Sequence, residues 1–162
     1  MNVLFVQTGG TIDKDYPTQG TAYAFEIARP AAERILKVVN PSFTYRFVEL
    51  LKKDSSDITD EDRELILKTC VDASEDKVII THGTDTMVET ARILSSIKGK
   101  IIVITGSMRP ERFIESDASF NIGSAIAVLS LAEPGVYIAM SGRVLPWDKA
   151  TKDFDQGQFV GK

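Results

Sequence analysis

The feature that most restricts this chain is a rhythm. Short runs dense in β-branched and aromatic residues alternate with longer stretches of helical period. The runs are "NVLFVQ" (2–7), "TYRFVEL" (44–50), "KVIITH" (77–82), "KIIVIT" (100–105) and "GVYIAM" (135–140). Three of them are almost continuously apolar, the pattern of parallel strands covered on both faces. Between them, Pro30 suits a first helical turn and sets Ala32, Ile35, Leu36 and Val39 on one face. Thr59, followed by Asp60, Glu61 and Asp62, opens a second helix with acids at the positive end of its dipole. Thr86 and Glu89 have capping-box spacing ahead of a third, with Met87, Val88, Ala91 and Leu94 as its buried stripe and Gly99 closing its end. A fourth runs from about Phe120 to Leu131 and stops at "EPG". The expected architecture is α/β: a three-layer α/β/α sandwich around a mainly parallel sheet, flavodoxin-like or Rossmann-like in strand order.

Chain totals narrow the function classes. A length of 162 residues fits one domain with a real core. The formal net charge of -4 gives no electrostatic pull toward nucleic acid or an anionic membrane. No run is long enough to span a bilayer, and "MNVLFVQTGGT" lacks the basic start of a secretory leader, so a cytoplasmic setting is expected. Cys70 and His82 are the sole cysteine and histidine. They allow no internal disulfide and no Cys/His metal cluster, so neither metal nor cofactor is expected. Cys70, at helical spacing from Ile66 and Ala73, reads as a core thiol.

In an open α/β sheet, ligands bind outside the carboxyl ends of the strands. Four strands here end in polar groups that core packing does not require: "TGGT", "KKDSSD", "THGTDT" and "TGSMRP". They place Thr8, Thr11, Ser55, Ser56, Thr84, Asp85 and Ser107 along one edge. "TGGTID" lacks the Lys-Ser/Thr of a P-loop and the third glycine of a dinucleotide fingerprint. It is either an ordinary capped turn or a place where a threonine is exposed to act. His82, three residues before Asp85, reads as a structural imidazole rather than a triad base. A threonine hydroxyl becomes a nucleophile when a neighbouring base, such as a desolvated lysine, removes its proton. Lys100 begins the fourth strand, far from these turns, and pattern alone does not select it. Trp147 reads as an anchor for the chain end, Arg109 as a structural ion-pairing group, and Asp117 as a helix cap.

"TGGTI", "DSSDIT", "THGTDTM" and "KIIVITGSMRP", in this order and at these strand ends, resemble the amino-terminal domain of the bacterial-type L-asparaginase family. "SDASFNIGSAIAV" and "GVYIAMSGRVLPWDKATK" extend the resemblance over nearly the whole chain. It implies an amidohydrolase that converts L-asparagine to L-aspartate and ammonia through a threonine nucleophile and an acyl-enzyme. Carried over residue by residue, Thr11 is the nucleophile, and Thr84, Asp85 and Lys100 form a second polar group in which Lys100 is the base. A loop tyrosine assists; Tyr23 fits that place, with Tyr16 as its rival. Gly10 offers a backbone N–H, Ser55 holds the substrate α-carboxylate, Ser56 stands at the substrate-binding position where many secreted relatives have glutamine, and Asp85 pairs with the α-ammonium.

The same resemblance implies a domain at 1–147 followed by a polar, irregular tail at 148–162. The family's smaller carboxyl-terminal domain, which completes a neighbouring subunit's site, is expected to be absent. A homodimer or larger homo-oligomer is expected, acting on a small amino-acid amide without nucleic acid or membrane partners. The alternative is a non-catalytic asparagine- or aspartate-binding or assembly module that keeps the pocket; a nucleotide-binding flavodoxin-like domain is the remoter reading.

Overall fold

A computed structural model describes residues 1–17 and 25–162. Its centre is a six-stranded sheet built from β1 (Asn2–Gly9), β4 (Thr44–Lys53), β5 (Lys77–Thr81), β6 (Ile101–Thr105), β7 (Gly135–Met140) and β8 (Arg143–Pro146). Two short strands, β2 (Lys14–Asp15) and β3 (Glu26–Ile27), pair as a hairpin stem after β1. The sheet order is β4-β1-β5-β6-β7-β8, parallel except for the antiparallel edge strand β8. Counted among the parallel strands alone, this is the 2-1-3-4-5 order of flavodoxin-like sheets, whose chain reverses direction across the sheet between β1 and β5.

Alternation along the central strands supplies two cores. Val3, Phe5, Ile79 and Val103 face one side, against α1 (Ala31–Val39) and α4 (Ala118–Leu131). Leu4, Val6, Ile80, Ile102 and Ile104 face the other, against α2 (Asp60–Asp72) and α3 (Met87–Leu94). Both faces of these strands are dry, which is why their sequences are continuously apolar instead of alternating.

The strand expectations hold to within a few residues, and most helix signals behave as read. Thr59 forms a complete capping box: its hydroxyl accepts the N–H of Asp62 at 3.2 Å while Asp62 accepts the N–H of Thr59 at 2.9 Å. Cys70 is fully buried, and burial pushes its thiol up to about 12. Trp147 packs against the α2–α3 core from the last connection.

Several expectations change, among them Gly99, which does not close α3: the helix ends at Leu94 with Ser95 at its C-cap. Val39 is 61% exposed, because α1 ends at that residue and Asn40 turns left-handed at φ 48. Thr86 does not cap α3; its hydroxyl donates to the Ser55 carbonyl at 2.8 Å, tying two polar turns together. Asp117 takes the N-cap position of α4, but its carboxylate accepts the N–H groups of Met108 and Arg109 and none from the helix backbone. The largest change lies in the tail. Residues expected to be irregular form a 3-10 turn at Trp147–Lys149 and then an antiparallel pair, β9 (Ala150–Asp153) with β10 (Gln158–Gly161). Phe159 anchors that pair in the core at 2% exposure. No helix among the described residues is long and apolar enough to cross a membrane.

Candidate active site

At the carboxyl ends of β1, β4 and β5, three turns meet through glycines. Gly9 and Gly10 have φ of +114 and +84, values that disfavour any side chain. A Cβ on Gly9 would overlap the backbone of Lys53, and one on Gly10 the backbone of Gly83. A Cβ on Gly83 would in turn overlap Ser55. The three backbones therefore lie in direct contact, with the N–H of Gly10 donating to the Lys53 carbonyl at 3.0 Å. This convergence sits at the β1–β5 reversal, where an open sheet of this order leaves its crevice.

Thr11 and Thr84 follow from these touching glycines. Thr11 opens a 3-10 turn at Thr11–Asp13 and is half-buried, and its hydroxyl has no hydrogen-bond partner among the described residues. The Thr11 side chain therefore does not cap its own turn. Gly10, expected to present an N–H to the site, has spent that donor on Lys53.

Thr84 is held from the opposite direction. Lys152, in β9, donates to the Thr84 hydroxyl at 2.8 Å and to Asp85 Oδ1 at 2.5 Å. The side chain of Lys152 is 9% exposed, whereas that of Asp85 is 57% exposed. The lysine amine thus lies inside, with a hydroxyl on one side and a carboxylate open to an arriving ligand on the other. The Phe154 ring, centred 5.0 Å from the amine, adds a cation–π contact. Ser55 is buried and its Oγ accepts the N–H of Asp85 at 3.2 Å, leaving its own hydroxyl hydrogen available to a ligand. Ser56, beside it, is exposed.

Lys100 is not in this group. It donates to the carbonyls of Ala73 and Glu75 at 2.6 and 2.8 Å, at the end of α2 and the start of β5. The reason is strand direction. Lys100 precedes β6, and a five-residue strand at about 3.3 Å per residue separates it from the carboxyl edge by on the order of 15 Å, beyond a lysine's reach. There it satisfies orphan carbonyls at the negative end of a helix dipole. Lys152 was hidden because it lies in a polar stretch that carries no strand-like run. The available signal was its position after the last parallel strand, where a returning chain reaches the carboxyl edge.

Other candidates divide. Thr8 and Ser107 are buried and face away: Thr8 donates to the Thr81 carbonyl at 2.8 Å, and Ser107 to the Arg109 carbonyl. Arg109 pairs with Glu115 at 2.8 Å on the surface. Tyr16 is exposed, its ring 4.9 Å from that of Phe25. Tyr23 lies outside the described residues.

His82 is the structural imidazole expected. It is fully buried; Nδ1 bonds the Gly83 carbonyl at 2.7 Å and Nε2 bonds the Thr90 hydroxyl at 2.8 Å. Nδ1 therefore carries the proton, and burial brings the imidazole down to about 4. Neutral His82 fixes the carbonyl just ahead of Thr84. No group of three or more metal-ligating side chains occurs among the described residues.

Comparison with known proteins meets this geometry. The family described as "Asparaginase, N-terminal" matches residues 2–156. Glutaminase-asparaginase of Acinetobacter glutaminasificans is 32% identical over 167 residues, covering 93% of this chain and 49% of the relative. L-asparaginase of Thermococcus kodakarensis is 30% identical over 161 residues, covering 94% and 48%. The solved structure titled "The thermostable L-asparaginase from Thermococcus kodakarensis" superposes with a TM-score of 0.85 at 28% identity, over 99% of this chain and 51% of that one. The chain spans about half the length of the curated relatives it matches.

Proposed function

The chain belongs to the asparaginase family, in its amino-terminal domain, and on that premise we propose that it takes part in hydrolysis of the side-chain amide of L-asparagine to L-aspartate and ammonia. The observation that carries this reading is the buried Lys152 amine bridging Thr84 and Asp85 beside an uncommitted Thr11.

Asp85, half-exposed, is suited to the substrate's α-ammonium, and Ser55 to its α-carboxylate. The arriving ammonium would then share one carboxylate with Lys152. A general-base role calls for the amine form of the lysine. In that form Lys152 takes the Thr84 proton, and Thr84 relays the next proton from the attacking group. Thr11 Oγ adds to the amide carbon, the proton released passes to the departing nitrogen, and ammonia leaves an aspartyl ester on Thr11. Water then adds to the ester carbonyl, gives its proton to the same relay, and frees aspartate. The backbone N–H of Thr84 is a donor suited to the developing oxyanion, whereas those of Gly10 and Asp85 are engaged. One such donor lowers a barrier of this kind by about 3 kcal/mol.

The half-exposed Asp85 carboxylate, suited to an ammonium, favours a free amino-acid amide as substrate. We assign the domain to 1–162, with β9 and β10 as an integral part that brings Lys152 to the site. Cytoplasmic residence and a homodimer or larger homo-oligomer complete the proposal. The test is ammonia release from L-asparagine by wild type and Thr11→Ala. Release by wild type and its loss in the variant support the reading; equal release by both contradicts it. Sedimentation as a monomer at micromolar concentration would contradict the oligomer.

A further inference from the structure

Asp13 is a buried acid that the chemistry above does not use. It closes the turn opened by Thr11 and is fully enclosed. Oδ1 accepts the N–H of Ala31, the first residue of α1, at 2.7 Å. Oδ2 accepts the hydroxyl of Thr81, the last residue of β5, at 3.3 Å. Its backbone makes two more connections: its N–H donates to the Gly10 carbonyl at 3.2 Å, and its carbonyl accepts the N–H of Ala28 at 2.9 Å. One residue thus joins the Thr11 turn, the far side of the β2–β3 stem, the start of α1 and the strand that leads to Thr84. The Gln7 amide lies against the same carboxyl, donating to the Ala28 carbonyl at 2.8 Å while its Oε1 is buried without a partner among the described residues.

Building on the hydrolase reading, we infer that Asp13 is a positioning residue: its carboxylate clamps the Thr11 turn to α1 and β5 and fixes the approach of Thr11 to Thr84. The arrangement is costly for a scaffold. Burial raises the carboxyl to about 6, against the pull of the Ala31, Gln7 and Thr81 hydrogen bonds and of Arg34. At neutral pH a neutral side chain of the same shape would be the more stable choice. The surrounding charges are otherwise occupied. Arg34 on α1 pairs with Glu111 at 2.6 Å, Lys14 in the stem with Asp54 at 3.0 Å, and Asp15 with Arg112 at 2.6 Å. His82, next after β5, is neutral. A proton added to Asp13 turns one of its acceptor oxygens into a donor that faces N–H and O–H donors from Ala31, Gln7 and Thr81. Protonation removes the charge that strengthens the bonds from Ala31 and Thr81, and the clamp weakens.

The experiment compares wild type, Asp13→Asn and Thr81→Val. Asp13→Asn keeps the shape and the acceptor for Ala31. It is expected to melt at or above the wild-type temperature at pH 7.5, yet to lose about tenfold or more in kcat for asparagine with KM little changed, since small misplacements of reacting groups are expensive. The acidic limb of the wild-type kcat profile near pH 6 should vanish with it. Thr81→Val, which leaves the carboxyl in place, should lower kcat in the same direction by less. Hydrogen exchange at Asp13 and Ala28 should quicken in Asp13→Asn. Wild-type kcat and an unchanged acid limb in Asp13→Asn would overturn the inference. If wild type itself releases no ammonia, the hydrolase reading has failed, and unchanged exchange would then overturn the clamp as well.

Discussion

Two lysines stand at opposite edges of one sheet, and each amine holds two oxygens. Lys100 donates to two backbone carbonyls at 2.6 and 2.8 Å, and Lys152 to a hydroxyl at 2.8 Å and a carboxylate at 2.5 Å. Carbonyl oxygens carry no proton to give, so the first arrangement can only stabilise. A hydroxyl can be deprotonated and a carboxylate can exchange its partner for a ligand's ammonium, so the second can move a proton. The difference lies in the backbone. Lys100 stands where parallel strands begin and a helix ends, whereas Lys152 stands where glycines have let three turns collapse on one another.

Removing the two amines in turn should separate their roles. Lys152→Met should lower kcat for asparagine by about a thousandfold, within the usual range for losing a general base. Lys100→Met should leave kcat near wild type in the same ammonia assay. If Lys100→Met were the inactive variant, the assignment would be reversed. Next in size is Ser55→Ala, which removes a donor to a charged ligand and should raise KM about tenfold, with a smaller change in kcat in steady-state kinetics. Smaller again is the structural cost at the other edge. Lys100→Met should lower the melting temperature by about 2–4 °C, as expected for roughly 1 kcal/mol lost at a helix end in a chain of this size.

The smallest effect concerns pH. His82, held at about 4, contributes stability that is complete above its unfolded value near 6.5 and is lost as pH falls through about 4. Asp13, raised to about 6, acts with opposite sign: its contribution is complete below its unfolded value near 3.8 and is lost as pH rises through about 6. Between those limits the two oppose each other. Asp13→Asn should therefore show a steeper fall in melting temperature than wild type between pH 6.5 and 4.5, measured by calorimetry.

The parallel sheet was legible because buried strands write themselves as unbroken apolar runs, and because Thr59 and its acids mark a helix start without ambiguity. A polar turn after such a run brought Thr11, Ser55, Thr84 and Asp85 to the glycine contact, but the same signal also picked Thr8 and Ser107, whose hydroxyls are spent on backbone carbonyls. What stayed hidden depends on contacts distant in sequence. Thr86 has capping-box spacing but spends its hydroxyl on Ser55, 31 residues away. Lys152 lies 68 residues from Thr84, in a hairpin held by one buried aromatic, Phe159, and nothing local announces it. Lys100 was drawn in by the motif it begins, although the rise of a strand puts it at the wrong edge. Asp13, two residues beyond Thr11, shows in sequence only as another turn acid; its role comes from the burial that the fold imposes.

In the proposed reaction the carbon chain of the amide substrate passes through an ester on Thr11, across the gap from the Lys152–Thr84 pair. Rapid acid quenching of the protein turning over isotopically labelled L-asparagine, followed by peptide mapping, tests it most directly. The expected result is an aspartyl adduct on the peptide bearing Thr11, absent from Thr11→Ala. Ammonia release with the label on another residue, or with full turnover in Thr11→Ala, would contradict the account.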